Sequence, residues 1–310
     1  MKPELNRRTF LKNTGGLVLA GGAIELLLAA CGGNVSTTTG SSSSTPSSGV
    51  TPIGNAGLKQ PGTLQWGADY VSGAPYVFQD PANPNQLVGF EVEIAVAIGQ
   101  LMGVSQKMIE TCYGELDQAL AANNFDMVMN GWEMTDERQK TQLFSDPYYR
   151  YGQQIVVRAD DARFAQYNSS SVVELSVLDG YKVGTGDGYK AATYLQADSK
   201  ITTKLYTGNQ PFDDVKQKKI DAAMVDVPIV AYYVQGAGPG ATADSSLKLL
   251  GKPLYPDVYV VGFNKSNPNA QQLLPEINAA IAALKKNGTL KQIYQKWALW
   301  NDQQEAIGIK

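Results

Sequence analysis

Between Asn130 and Arg138 the chain reads Asn-Gly-Trp-Glu-Met-Thr-Asp-Glu-Arg. An amide, three carboxylates and a guanidinium are gathered there. A guanidinium offers a planar fork of donors that matches a carboxylate. The fork is useful when the backbone delivers it to a loop with spare N–H groups, and the flanks supply that setting. Phe125 to Met129 is an apolar run that reads as a buried parallel strand. Thr135 reads as a helix N-cap, with Asp136 and Glu137 in the first turn, where the macrodipole favours acids. A strand that ends in a polar loop before a helix is where open α/β sheets bind small ligands, because unpaired N–H groups and the positive helix end converge there. The same residues also fit an ordinary strand–loop–helix with a solvated arginine.

Composition narrows the chemistry. The chain has 310 residues, 43% hydrophobic and 18% charged, enough for one or two domains with cores of their own. The formal net charge of −3 comes with no basic stripe, which argues against a nucleic-acid partner. Histidine is absent, which excludes Ser-His-Asp and Cys-His catalysis and His-based zinc sites. No metal or cofactor is expected. Two cysteines, Cys31 and Cys112, are too few for a disulfide framework. Cys112 is expected to be a buried, inert thiol.

The first part of the chain reads as an address. Asn6-Arg-Arg-Thr-Phe-Leu-Lys12 is a twin-arginine pattern. Leu17 to Ala30 is an apolar stretch too short to span a membrane, and Leu28-Ala-Ala-Cys31 resembles a lipobox. Residues 1–31 are therefore expected to be a lipoprotein signal, with Cys31 lipidated and anchoring the chain to the outer face of a membrane. Residues 32–58, rich in Ser, Thr and Gly, read as a flexible tether.

Beyond the tether, apolar runs of strand length alternate with helical spacing, which indicates an α/β fold. Phe90, Ile94, Ala97, Ile98 and Leu101 share one helical face that Gly103 terminates. A helix–strand–polar-loop–helix unit occurs twice, its strand ending once at Asn130 and once at Asp226. Two α/β lobes would each offer a strand-end loop to a shared crevice. Gly184-Thr-Gly-Asp-Gly188 lacks the spacing of either phosphate-binding glycine motif and reads as a tight strand-to-helix turn.

Taken in order, these motifs resemble the family 3 extracellular solute-binding proteins, the polar amino-acid receptors of ABC importers. The pieces that carry the resemblance span about residues 62–300. They are Gly67-Ala-Asp69 with Ala74-Pro-Tyr76, Leu87 to Glu93, Phe125 through Arg138, Phe144-Ser-Asp-Pro-Tyr-Tyr149, Lys182-Val-Gly184, Ile220 to Asp226 and Leu284 to Trp297. The resemblance implies a two-lobed periplasmic-binding-protein-like fold, each lobe a mostly parallel sheet flanked by helices, joined by two crossover strands. Lobe 1 would comprise residues 59–150 and 258–310, and lobe 2 residues 151–257. The implied protein is a monomeric extracytoplasmic receptor that captures a small polar solute, amino-acid-like, and passes it to an importer permease. It makes and breaks no bond.

The resemblance also implies a site. Arg138 would grip a ligand carboxylate and Asp226 the ligand ammonium. Asn130, Gly131 and Glu133 would contribute backbone groups. Tyr113, with Trp132 or Tyr70, would form an aromatic wall, and Asp69 an acid of lobe 1. Gly188-Tyr189-Lys190 replaces the small hydroxyl residues usual in the lobe-2 loop, and Glu133 stands where the family usually has Ser or Thr. Glu133 is expected to pair with Lys190 and latch the closed state, or else to receive a cationic group of the ligand. Other readings of the same scaffold are an enzyme, such as a dehydratase or a peptidoglycan lyase, and a sensor domain.

Overall fold

The computed structural model of the protein describes residues 53–71, 73–207 and 210–310. The signal-like segment, Cys31 and most of the tether lie outside the described residues. The first sheet is built from β1 (Thr63–Ala68), a hairpin of β2 (Phe78–Asp80) and β3 (Asn83–Val88) beside it, helix α1 (Phe90–Met102), β4 (Ser105–Glu110), α2 (Leu116–Ala121), β5 (Met127–Val128), α3 (Asp136–Thr141) and β6 (Gln142–Phe144). The chain then enters the second sheet through β7 (Tyr149–Arg158), followed by β8 (Lys182–Gly186), α4 (Lys190–Ala197), β9 (Thr202–Tyr206), α5 (Phe212–Lys216), β10 (Ala222–Asp226), α6 (Val227–Tyr233) and β11 (Leu247–Tyr259). It returns as β12 (Gly262–Asn264), α7 (Pro268–Lys286) and α8 (Thr289–Lys296).

The lobe-1 sheet has the order β4-β1-β5-β12-β6, and the lobe-2 sheet β11-β7-β10-β8-β9. The fold is the expected two-lobed α/β arrangement, but both sheets are mixed rather than mostly parallel. β1 runs parallel to β4 and β5, while β12 is antiparallel to β5 and β6. In lobe 2, β8 is parallel to β9 and β10, while β7 is antiparallel to β10 and β11. The physical reason is the double crossing. Strands that leave one lobe and return from the other must enter their sheets against the direction set by the strand–helix–strand units.

Local signals account for the elements around the cleft. On α1 the buried residues include Phe90, Ile94, Ala95, Ile98 and Met102, and Gly103 closes the helix with φ 68°. Each fully buried side chain of this size contributes about 1.5–3 kcal/mol relative to exposure. Thr135 caps α3 by accepting the Arg138 N–H at 3.2 Å. β7 and β11 pair with Tyr259 opposite Tyr149 and Asp257 opposite Tyr151, so the two crossings lie side by side. Apolar packing is continuous from α1 through Tyr149, Tyr151 and Tyr259 to Val225 and Ile229. Cys112 is exposed rather than buried, because it stands in the polar turn between β4 and the short helical turn Tyr113–Glu115.

Candidate functional site between the two sheets

The loop after β5 and the end of β10 face one another across the crossings. Asn130 and Gly131 come from the first, Asp226 from the second. With Asp69, Gly73, Tyr76, Tyr113, Tyr189 and Ile229 they line a cavity of about 20 Å³, little more than a water molecule occupies. Gly131 has φ 59°, and a Cβ there would meet the Tyr76 ring at 2.9 Å. Glycine is therefore needed for the loop to approach that ring. The Gly131 N–H donates to Glu91 Oε1 at 2.8 Å. Asn130 fixes the opposite loop by accepting the Asp69 N–H at 2.9 Å. The Asp69 carboxylate accepts from the Val71 and Tyr113 N–H groups at 2.8 and 3.2 Å.

The two crossing strands hold the buried acids. Tyr259 donates its hydroxyl to Asp226 Oδ2 at 2.5 Å and shares a 2.8 Å hydrogen bond with the Tyr76 hydroxyl. Tyr151 donates to Glu133 Oε1. The rings of Tyr151 and Tyr259 are stacked, with centroids 4.0 Å apart. The Gln153 side chain, on the same face of β7 as Tyr151, also faces the buried Asp226 carboxyl. Burial, reinforced by the nearby Glu133 charge, pushes the Asp226 carboxyl well above the usual range. Burial likewise raises Glu133, against the pull of Tyr151, the Lys190 N–H and Arg138.

Arg138 is placed differently from the expectation that it shares a hollow with Asp226. Its Nε donates to both oxygens of Asp117 at 3.2 Å, and its Nη1 donates to the Glu133 carbonyl at 3.1 Å. The guanidinium lies 3.4 Å over the Trp132 ring. It lines an open groove of about 580 Å³ together with Asp117, Thr135, Gly188, Tyr189 and Leu205. Tyr189 borders both hollows, and its ring meets that of Tyr113 edge-on at 5.0 Å, so the pair stands between groove and cavity. The physical reason is local: an acid one helix away and an aromatic face beneath it satisfy the fork before any ligand does. Burial opposes the Arg138 charge, but Tyr113, Asp117 and Glu133 outweigh it and hold the guanidinium above its ordinary pKa.

The expected Glu133–Lys190 latch joins the lobes through the Glu133 carboxylate and the Lys190 backbone rather than through a pair of side chains. Glu133 Oε2 accepts the backbone N–H of Lys190, the first residue of α4, at 2.8 Å. The Lys190 ammonium instead pairs with Asp257 and donates to the Met134 carbonyl at 3.1 Å. A free N–H and the dipole at the start of α4 attract the buried carboxylate, whereas the longer ammonium reaches the partly buried acid on β11.

Of the residues selected from sequence, Asp69, Tyr113, Asn130, Gly131, Tyr189 and Asp226 meet at the cavity. Arg138 and Gly188 lie in the groove. Trp132 is fully buried under Arg138 and donates to Gln142 at 2.9 Å, so it supports rather than lines the hollow. Tyr70 packs at the edge of lobe 1, its N–H donating to Glu110 at 3.1 Å. Sequence reasoning missed Tyr76, Tyr151, Tyr259 and Glu91. The period of two in Tyr149, Tyr151 and Gln153 carried a signal, since it puts those side chains on one face of β7.

The sequence compares with known proteins as this geometry suggests. Residues 67–299 match the model of the bacterial extracellular solute-binding proteins, family 3. The L-cystine-binding protein TcyJ of Escherichia coli (strain K12) is 28% identical over 242 residues, 77% of this chain and 84% of that protein. Among solved structures, an ancestral arginine-binding protein bound to arginine is 30% identical with a TM-score of 0.64, covering 76% of this chain and 98% of that one. The ancestral amino acid-binding protein AncCDT-1, a precursor of cyclohexadienyl dehydratase, is 27% identical with a TM-score of 0.64, covering 76% of this chain and 95% of that one. A match across most of the folded chain, on a fold whose two sheets close over an acidic, tyrosine-lined cavity, places it: the chain belongs to the bacterial extracellular solute-binding proteins, family 3.

Proposed function

We propose that this chain is the extracytoplasmic receptor of an ABC importer and captures a small polar solute related to amino acids by closing its two lobes. The observation that carries the reading is the cavity between Asp69, Tyr113 and Asn130 on one sheet and Tyr189 and Asp226 on the other. A site whose halves come from two sheets is completed by closure, and the paired crossings β7 and β11 are the hinge about which the lobes part to admit a solute. Cys31 would carry the lipid that keeps the receptor near its permease. The names of the relatives support an amino-acid-like cargo. A thermal-shift screen of natural amino acids and their amine relatives tests the reading. A ligand that raises the melting temperature by several degrees and binds one to one in calorimetry is the expected result.

An enzyme on the same scaffold is the second reading, favoured by the buried Glu133 and by the resemblance to a dehydratase precursor. Incubation with prephenate-like acids or peptidoglycan fragments decides between the two, since a receptor returns them unchanged.

A further inference from the structure

We propose that the cleft selects a small organic cation that carries no carboxylate, because Glu133 supplies from within the chain the carboxylate that the anion-binding donors of the site would otherwise take from a ligand. The inference rests on the receptor reading and deepens it.

The donors come first. A ligand carboxylate needs N–H groups, and several of those near the cleft already serve the protein's own acceptors. The N–H that opens α4 goes to Glu133 Oε2. The Gly131 N–H goes to Glu91. Arg138 is divided between Asp117 and the Glu133 carbonyl. The Lys190 ammonium is taken by Asp257 and Met134. A carboxylate arriving here must displace a buried carboxylate that already has two donors, Tyr151 and the Lys190 N–H. Displacing it would leave that group buried and unpaired, which is costly.

The acceptors show the opposite balance. The cavity lining contains two carboxylates, Asp69 and Asp226, and no lysine or arginine. Asp226 is 5% exposed, with the Tyr259 hydroxyl and the Gln153 side chain as its neutral hydrogen-bonding neighbours and no cation of the chain lining the cavity beside it. The rings of Tyr76, Tyr113 and Tyr189 supply aromatic surface on three sides. Two carboxyl groups amid tyrosines attract an ammonium or guanidinium both by charge, since an arriving cation favours the ionised form of Asp226, and by the ring faces. A zwitterion would add a further negative group beside Asp69, Asp226 and the nearby Glu133. A cation stripped of its carboxylate meets only favourable groups.

Matched pairs that differ only in the carboxylate test this: arginine against agmatine, lysine against cadaverine and ornithine against putrescine, each titrated calorimetrically into the folded protein. The expected result is that at least one amine binds tenfold or more tightly than its parent amino acid. Glu133→Ser frees the α4 N–H and shifts the preference of that pair toward the amino acid by tenfold or more, whereas a merely structural Glu133 would weaken both members alike. Amino acids binding the unmodified protein more tightly than their amines would overturn the inference and leave the receptor reading standing. Failure of every member of every pair to bind would overturn the inference, and failure of every natural amino acid and amine in the thermal-shift screen would overturn the receptor reading as well.

Discussion

The carboxylate of Glu133 in lobe 1 accepts the backbone N–H of Lys190 in lobe 2 at 2.8 Å, across 57 residues of sequence. It is a charge-assisted bond between a buried acid and the first N–H of a helix, so it ties the lobes in the closed arrangement. A hydrogen bond to a charged group is worth about 1.5–3 kcal/mol. Glu133→Gln should therefore shift the open–closed balance toward open by roughly 10- to 100-fold. Small-angle scattering of the ligand-free protein should report a larger radius of gyration for the variant. Identical scattering curves would mean that closure rests on other contacts.

Asp226 pits stability against binding. Its carboxyl is raised well above the ordinary value by burial and by Glu133. A raised acid contributes stability that is present at low pH and lost as pH rises through its folded pKa. At neutral pH the ligand-free Asp226→Asn protein should unfold at higher temperature, with a gain of about 1–2 kcal/mol. Affinity for a cationic ligand should fall tenfold or more. A variant that is both less stable and unchanged in binding would remove Asp226 from the site.

Glu91 should make stability depend on pH. Burial pushes its carboxyl up to about 7 from the model-compound value of 4.5, against the opposing hydrogen bonds of Tyr148 and the Gly131 N–H. The folded state then holds a proton that the unfolded chain releases. Stability is greatest below pH 4.5 and declines as pH rises toward about 7. The decline amounts to about 3 kcal/mol from this group alone. Urea unfolding at pH 5 and pH 7.5 should show it, and Glu91→Gln should flatten it.

Arg138 should matter more to folding than to affinity. Its guanidinium joins Asp117, the Glu133 carbonyl and the Trp132 face. Arg138→Ala should lower the unfolding free energy by about 2–3 kcal/mol, since a buried carbonyl and an aromatic face lose their partner. Arg138→Lys should restore little of it, because an ammonium cannot reproduce the fork. Denaturant titration measures the loss. A large drop in affinity with unchanged stability would return Arg138 to direct contact with the ligand.

Much of the scaffold was legible because its signals are local. The 3.6-residue spacing from Phe90 to Leu101, the stop at Gly103, the Thr135 cap and the strand that ends at Asp226 each depend on near neighbours in sequence. Elements whose pattern is dominated by long-range pairing were not legible. The hairpin strand Asn83–Val88 is polar and exposed along most of its length. β4 alternates exposed and partly buried residues and has none fully buried, so it carries no clear strand signal. β11 contains Gly251, Pro253 and Pro256, which read as loop, yet it runs for 13 residues because its register against β7 shifts around them.

The residue types alone established an α/β chain without histidine chemistry, bearing an arginine and an acid at the ends of two strands. Those properties follow from composition and short-range periodicity, which every fold of this chain would share. The partner of each buried charge is another matter. Glu133 meets the start of α4, Asp226 meets Tyr259, and Arg138 turns toward Asp117, at separations of 57, 33 and 21 residues. A buried charge takes whichever donor or acceptor the packed sheets bring within about 3 Å. That proximity arises only when distant segments condense together, and it separates a cleft prepared for a cation from one prepared for a zwitterion.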